Sequence, residues 1–446
     1  MIRRTKNIIK SQIKRSKTAL TLVTKIKRPP HALRAQDVHA ARNYIKHFWV
    51  NLERYHPHDE DSLIGLPNQY LVPAHNPSSS FNFDEMYYWD SYFMVQGMLT
   101  DPTKKELVMG ILENLFSLLA RFKVIPNASR TYLTGRSQPP LLTSFIFDVY
   151  ETYHLDKRWL ERAIGYAKSE YETVWMGTTK PFAHQVHQGL SRYYEINMLN
   201  DLAETESGWD MTTRFGRRCL EFLPVDLNAM LYKYEADFAR AAEILNQPDE
   251  QKQWTKRAKV RQKAMNELMW SNLKGLYFDY NYKKGKRGTV PSLASYVPLW
   301  AGMVTEEQAE ILVKSLHRFD APGGLVTTDE PPIKSTLPQK LPTQWAYPNG
   351  WAPLHFFVTE GLERYGHSEH AKRIALRWLR TNNDWFKTHG VFLEKYNVIQ
   401  PSKHPLEGVY PSQTGFGWTN AIFERYCQDY IDAHSSNPEH VEGLGR

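Results

Sequence analysis

Helical periodicity without strand alternation is the feature that most constrains what this chain can fold into. From about residue 36 onwards, apolar residues recur at the spacing of one helix face, and no block alternates apolar and polar residues. Loops rich in Pro, Gly and aromatic residues separate the helical stretches. Roughly a dozen helices in some 400 residues predict an all-α protein whose paired helices close a ring. The clearest stretches are residues 38–52, 104–122, 157–175, 228–245, 251–270, 306–319, 353–365, 370–389 and 419–433.

Basic residues are concentrated at the N-terminus. Residues 1–34 contain 11 Lys or Arg and no acid, so subtracting 11 from the overall formal charge of +8 leaves −3 for the remainder. The chain therefore divides into a basic extension, residues 1–35, expected to be mobile, and one domain, residues 36–446. A weak contact of the extension with an anionic surface is one hypothesis. No base-reading motif accompanies it, so no nucleic-acid partner is expected.

Several function classes lack their sequence signals. No run of about 18 apolar residues exists, which excludes a membrane-spanning helix, and the N-terminus lacks a convincing signal peptide. Cys219 and Cys427 provide neither a disulfide framework nor a metal-ligand pattern. No Gly-x-Ser-x-Gly, His-Glu-x-x-His or phosphate-cradling glycine motif is present. We expect a cytoplasmic monomer that uses no metal and no cofactor.

The segment 204–215, ETESGWDMTTRF, carries the first candidate for catalysis. Asp210 lies between Trp209 and two Thr residues, after a flexible Gly. An apolar wall on one side and hydrogen-bonding groups on the other can raise the pKa of a carboxyl towards the working range of a general acid. An exposed Asp that caps a helix is the alternative that this segment alone leaves open.

Aromatic residues and amides gather in the loops. Residues 83–93, 126–140, 344–353, 392–397 and 415–420 each combine them with a few charges beside a predicted helix end. A sugar presents C–H groups on its faces and hydroxyls on its rim, so flat rings and polar groups suit its binding. These loops predict a concave polyol site on a rigid scaffold. An aromatic-rich core is the other reading of the same residues.

At these loops the chain resembles the trehalase family, the family 37 glycoside hydrolases, over about residues 65–425. The family signature P-G-G-R-F-x-E-x-Y-x-W-D-x-Y is matched in its second half by residues 79–92, SSFNFDEMYYWDSY. The signature Q-W-D-x-P-x-G-W-A-P is matched by residues 344–353, QWAYPNGWAP. Residues 136–140, 206–210, 224–228 and 415–420 also resemble family segments.

The resemblance implies an (α/α)6 barrel, or toroid, and an inverting glycoside hydrolase. Asp210 falls at the family's general acid and Glu394 at its general base. Inversion needs room for a water molecule, so the two carboxyls are expected to lie roughly 6.5–9.5 Å apart. The substrate would be a small carbohydrate, most directly α,α-trehalose. Substrate binding is expected of Phe83, Trp89, Asp90, Asn127, Arg136, Gln138, Arg192, Glu195, Trp209, Trp345, Trp351 and Trp418.

Departures from the family pattern concern substrate recognition. Asn82 stands where the signature has Arg, and Ala346 where it has Asp. Arg192 and Glu195 would replace a further Arg and Glu of the family, and Glu407 would replace the Glu of a lid over the substrate. Two alternatives therefore stay open: a toroid hydrolase of another small α-glucoside or α-mannoside, such as glucosylglycerate, and a catalytically weak sugar-binding protein. Retention of both predicted carboxylates argues against the second.

Overall fold

The computed structural model describes residues 33–76, 83–330, 343–408 and 410–433. Residues 1–32 of the basic extension, and Asn82 with residues 79–81, lie outside the described residues. Within these ranges no helix is long and apolar enough to cross a membrane. The described helices are α1 (Ala35–Leu52), α2 (Tyr88–Gln96), α3 (Lys105–Phe122), α4 (Leu142–Thr152), α5 (Lys157–Glu170), α6 (Asn200–Glu206), α7 (Val225–Ile244), α8 (Pro248–Leu268), α9 (Val297–Trp300), α10 (Glu306–Ser315), α11 (Ala352–Arg364), α12 (Ser368–His389) and α13 (Gly417–Cys427).

Six of the described helices form an inner ring. Around the ring, α4 contacts α7, α7 contacts α9, α9 contacts α11 and α11 contacts α13. The last of these, α13, packs against α2. The rings of Tyr92 and Phe145, with centroids 6.3 Å apart, join α2 to α4 and complete the circle. Outside this ring, α1 packs against α13, α5 against α4 and α7, α8 against α7, and α12 against α11. The all-α toroid expected from the sequence is therefore the observed fold.

Burial differs between the two layers. Every residue of α2 is buried, because this inner helix contacts neighbours on all sides. The outer helix α12 buries one stripe, including Ala371, Ile374, Ala375 and Trp378, whose spacing follows the helical repeat. It ends at Gly390, whose φ of 72° is the left-handed conformation that closes many helices. The outer helix α12 consequently shows amphipathic periodicity, whereas the inner helix α2 does not.

The two ends of the described chain meet at α1 and α13. The Arg42 guanidinium donates hydrogen bonds of 2.6 and 2.9 Å to the carboxylate of Glu424, and one of 3.0 Å to Asp432. All three side chains are partly exposed, so the ion pairs themselves contribute modestly. Their geometry fixes the register in which the first outer helix meets the last inner one.

Short antiparallel strands join the loops at the mouth of the ring. Sequence periodicity gave no sign of them, because two or three residues are too few to show alternation. β12 pairs with β13 so that Trp351 lies opposite Lys395. The described strands are β1 (Glu53–Arg54), β2 (Tyr70–Leu71), β3 (Gln185–His187), β4 (Leu190–Ser191), β5 (Phe222–Leu223), β6 (Trp270–Ser271), β7 (Leu276–Tyr277), β8 (Tyr280–Asn281), β9 (Lys286–Arg287), β10 (Asp320–Ala321), β11 (Gly324–Leu325), β12 (Asn349–Trp351) and β13 (Lys395–Asn397).

Candidate active site

A cavity of about 710 Å³ opens at the N-terminal ends of α2 and α13. Its volume lies in the range of small-ligand sites. Aromatic rings, amides and carboxyls share its wall. Its lining includes Phe83, Trp89, Asp90, Asn127, Arg136, Gln138, Gly208, Asp210, Trp345, Glu394, Tyr410 and Trp418.

Asp210 reaches this cavity from the loop that follows α6. Its main-chain carbonyl accepts a 2.6 Å hydrogen bond from the side-chain amide of Gln344. The next carbonyl, of Met211, accepts one of 3.0 Å from the Trp345 N–H, so the loop is held at two successive points. Burial, and then the negative charge of Glu394, raise the pKa of the Asp210 carboxyl to about 7. Asp210 can therefore hold a proton at neutral pH.

A buried arginine braces the same loop from behind. The Arg214 guanidinium makes paired hydrogen bonds of 2.7 and 2.9 Å to Asp226, and of 2.7 and 3.0 Å to Asp279. It also lies 4.3 Å from the ring centroid of Trp209. The Arg214 side chain is fully buried, and the two carboxylates are almost so. This cluster fixes the loop four residues beyond Asp210.

Glu394 lies at the other predicted catalytic position and is 1% exposed. Its N–H donates to the Gln413 carbonyl, at 3.0 Å, and its own carbonyl accepts from the Trp418 indole, also at 3.0 Å. The carboxylate accepts hydrogen bonds at both oxygens: 2.7 Å from Lys395 Nζ to Oε2, and 2.8 Å from the Tyr410 hydroxyl to Oε1. Backbone and side chain of Glu394 are thus both fixed.

Polar groups at the start of α2 complete the acidic part of the cavity. Burial, followed by the charges of Glu394 and Asp210, raises the pKa of Asp90 well above its ordinary value. Gln138 accepts a 2.9 Å hydrogen bond from the Trp89 N–H, which orients this amide. Asp90, Asp210 and Glu394 therefore share one cavity, and their mutual repulsion favours a protonated state for some of them.

Arg136 and Asn127 contribute polar groups to the adjoining wall. The Asn127 side-chain amide donates to the Ser137 carbonyl at 2.9 Å, which leaves its oxygen able to accept. Arg136 Nε is buried and has no hydrogen-bond partner among the described residues. Both side chains are therefore available to hydroxyl groups of a ligand.

Five tryptophans form two layers beneath the cavity. Trp89, Trp345 and Trp418 line it, with pairwise ring-centroid distances of 5.6–6.0 Å. Trp351 stacks behind Trp345 at 3.7 Å, and Trp209 lies 5.6 Å from Trp345 in a nearly parallel orientation. The first layer contributes apolar ring surface to the cavity wall, and the second packs behind it.

The structure brings most of the predicted site residues together. The two predicted catalytic carboxyls line the cavity, with eight of the predicted substrate-binding residues: Phe83, Trp89, Asp90, Asn127, Arg136, Gln138, Trp345 and Trp418. Trp209 and Trp351 lie in the second layer. The remaining two, Arg192 and Glu195, do not line the cavity.

Local contacts explain where these two side chains lie. The Arg192 guanidinium donates hydrogen bonds to the carbonyls of Ala183 and Leu220, both at 2.9 Å. Loop carbonyls therefore use these hydrogen-bond donors of Arg192. Glu195 accepts hydrogen bonds from the backbone and side chain of Asn197, at 2.7 and 2.8 Å. Glu407 is exposed and absent from the described cavity wall, and Ala346 is buried beside Trp345.

Lys395, Tyr410 and Gln344 are functional candidates that reasoning from the sequence missed. Gln344 contacts Asp210, and Tyr410 contacts Glu394, each from a separate loop. Lys395 contacts Glu394 as its neighbour in the chain. Lys395 directly follows the predicted base, and a cation beside a candidate carboxylate was a signal present in the sequence. Tyr410 lies 16 residues from Glu394, and no spacing rule connects them.

Comparisons with known proteins show which family and which folds this chain is similar to. A family model described as Trehalase matches residues 4–208 and 199–430. Neutral trehalase from Saccharomyces cerevisiae is 29% identical, with a TM-score of 0.71 over 82% of this chain and 74% of that one. A GH63 mannosylglycerate hydrolase from Thermus thermophilus, solved with glucose, is 18% identical, with a TM-score of 0.65 over 86% of this chain and 99% of that one. The second likeness shows the fold alone.

Proposed function

The chain belongs to the trehalase family and is a glycoside hydrolase of the toroid clan, and from this premise we propose that it hydrolyses α,α-trehalose to two glucose molecules with inversion. One observation carries the proposal: two carboxyls with different electrostatic surroundings line one cavity. Asp210 has a pKa of about 7, whereas the Glu394 carboxylate contacts the ammonium of Lys395. Carboxyls in contrasting environments are the usual way to obtain one acid and one base.

Each carboxyl then has a defined task. Asp210 donates its proton to the glycosidic oxygen as the C–O bond breaks and the electron pair goes to the leaving sugar. Glu394 removes a proton from a water molecule whose oxygen bonds to the anomeric carbon from the opposite face. Both anomeric carbons of trehalose are α. The attacked glucose is therefore released as the β anomer and the leaving glucose as the α anomer.

The trehalose assignment is supported by the likeness to the yeast neutral trehalase and by the lining of the cavity. Trp89, Trp345 and Trp418 offer apolar faces to the sugar rings, and Arg136 offers a donor to their hydroxyls. A second candidate is another small α-glycoside. It is favoured by Arg192, whose guanidinium bonds loop carbonyls and therefore gives the substrate no charged contact.

The test is glucose release from α,α-trehalose by the wild type and by Asp210→Asn and Glu394→Gln. We expect both substitutions to lower kcat by about 10²–10⁴-fold, since each removes a proton-transfer group. Glu161→Gln, an exposed carboxylate on α5, is the matched control and is expected to keep full activity. Unchanged release in either active-site variant would contradict the assigned roles.

A substrate panel separates the remaining alternatives. Release from glucosylglycerate or an α-mannoside, without release from trehalose, would favour the second candidate. Binding of a sugar without turnover of any glycoside would indicate a sugar-binding protein instead. α-Glucosyl fluoride isolates the acid, because fluoride departs without protonation. Asp210→Asn is expected to hydrolyse this fluoride far better than trehalose, whereas Glu394→Gln is expected to lose activity on both substrates.

A further inference from the structure

Lys395 is an unusually placed cation. Its side chain is completely buried, although lysine is rarely found so. Nζ lies 2.7 Å from Glu394 Oε2, and 5.1 and 5.8 Å from the ring centroids of Trp351 and Tyr410. Glu394 lies at a bend and Lys395 begins β13, so the two neighbouring side chains meet where the chain changes direction. The surroundings therefore hold the ammonium against one carboxylate.

Tyr410 meets the same carboxylate from another loop. Its hydroxyl donates to Glu394 Oε1 at 2.8 Å, so each carboxylate oxygen has its own donor. Burial raises the pKa of the Tyr410 hydroxyl well above its ordinary value, and the charge of Glu394 raises it further. The hydroxyl consequently keeps its proton across the working pH range. Two donors on two oxygens fix the rotation of the carboxylate, and each oxygen retains a lone pair for water.

We propose that Lys395 and Tyr410 are positioning residues for the general base: they keep the Glu394 carboxylate charged and turned towards the attacking water. This inference rests on the proposed function of Glu394. The other charged groups that face this carboxylate are Asp90 and Asp210, and both are acids. Lys395 is its one ion-pair partner among the described residues. Removal of this cation would leave a buried carboxylate with no compensating positive charge, which strongly favours its protonation.

Substitution by methionine tests the charge with little change of shape. Lys395→Met keeps an unbranched apolar stem between the two rings. With less positive charge nearby, the carboxylate forms only at higher pH, so we expect the acidic limb of the kcat/KM profile to move up by about 1–3 pH units. At a pH below the shifted limb, kcat should fall by at least about 10-fold, with KM changed by less than about 3-fold.

Three further variants isolate the cause. Lys395→Arg restores a cation and is expected to return the acidic limb towards the wild-type position. Tyr410→Phe removes one neutral donor and is expected to move the limb in the same direction by a smaller amount. Lys233→Met is the matched control, because Lys233 pairs with Asp237 on α7, outside the described cavity wall. Its pH profile is expected to match that of the wild type.

An equal loss of activity at every pH in Lys395→Met, with the acidic limb unmoved, would show that Lys395 only fills space and would overturn the inference. The same conclusion would follow if Lys395→Arg failed to restore the limb. A wild type that hydrolyses no glycoside on the panel is a separate result, which removes the proposed function itself.

Thermal unfolding of a double-mutant cycle gives a readout that needs no activity. At pH 7, Lys395→Met leaves the buried Glu394 carboxylate without its cation, so we expect its Tm to fall. Adding Glu394→Gln is expected to recover most of that loss, because the uncompensated charge is then gone. Additive losses of Tm would refute the coupling between Lys395 and Glu394, whatever the substrate.

Discussion

Asp210, the proposed catalytic acid, is expected to destabilise the folded protein at neutral and alkaline pH, and Asp210→Asn tests this. The pKa of Asp210 rises from 3.8 to about 7 on folding. A carboxyl whose pKa is higher in the folded state makes its full contribution to stability below about pH 4. That contribution is lost as pH rises through the folded pKa. Asparagine stays neutral at every pH and avoids that loss. The variant should therefore gain stability relative to the wild type between about pH 4 and about pH 7.

The size of the effect follows from the shift in pKa. A rise from 3.8 to about 7 is roughly three pKa units, and each unit corresponds to about 1.4 kcal/mol. The pH-dependent part of the stability difference should therefore approach about 4 kcal/mol above pH 8. Glu394 is the second cause of the shift, so the same comparison in a Glu394→Gln background should give a smaller difference.

Urea denaturation at a series of pH values from 5 to 8 measures this difference. Other acids with raised pKa values whose shifts do not depend on Asp210, such as Glu170 and Glu360, titrate alike in both proteins and cancel. Asp249→Asn is the control, because Asp249 is exposed in the first turn of α8. Its stability difference from the wild type should not vary with pH over this range. A constant difference for Asp210→Asn, or one that shrinks as pH rises, would refute the reasoning.

Two further predictions concern the loop that carries the acid. Arg214→Met leaves two buried carboxylates without their cation and should lower the free energy of unfolding by about 3–5 kcal/mol. Arg217→Met removes one partner of an exposed ion pair and should lower it by less than about 1 kcal/mol. Equal losses in urea denaturation would contradict this. Gly208→Ala places a Cβ 2.5 Å from the Trp89 ring at a φ of +73°, and should lower kcat/KM at least about 10-fold, since that ring lines the cavity. Gly216→Ala has the same kind of φ, +54°, with nothing within 4 Å, and should cost only about 1–2 kcal/mol of stability. Loss of activity in both glycine variants would mean that backbone strain, not the contact with Trp89, is responsible.

Helices that expose one face could be predicted from sequence more readily than short helices that are buried on all sides. Periodicity predicted helices at residues 38–52 and 370–389, and the structure has Ala35–Leu52 and Ser368–His389. These helices bury one face and expose the other, which produces the pattern. The inner helices Tyr88–Gln96 and Val297–Trp300 were not singled out, because all their residues are buried and no polar face marks the period.

The residues of the candidate site also differ in how far the sequence could predict them. Residues within contiguous motifs, such as Trp89 and Asp90, could be placed together because they are adjacent in the sequence, at the start of α2. Gln344 and Tyr410 act on Asp210 and Glu394 across separate loops, and such pairings depend on the tertiary fold. Arg192 belongs to the same class of problem: the carbonyls that bind its guanidinium come together only in the folded loops.

The most direct test of the account is the anomeric form of the first glucose released from α,α-trehalose, followed by proton NMR before mutarotation. The assignment of Asp210 as acid and Glu394 as base on opposite faces predicts α- and β-glucose in equal amounts at the earliest times. Release of α-glucose alone would mean retention at the attacked carbon and would contradict a direct attack by water activated by Glu394.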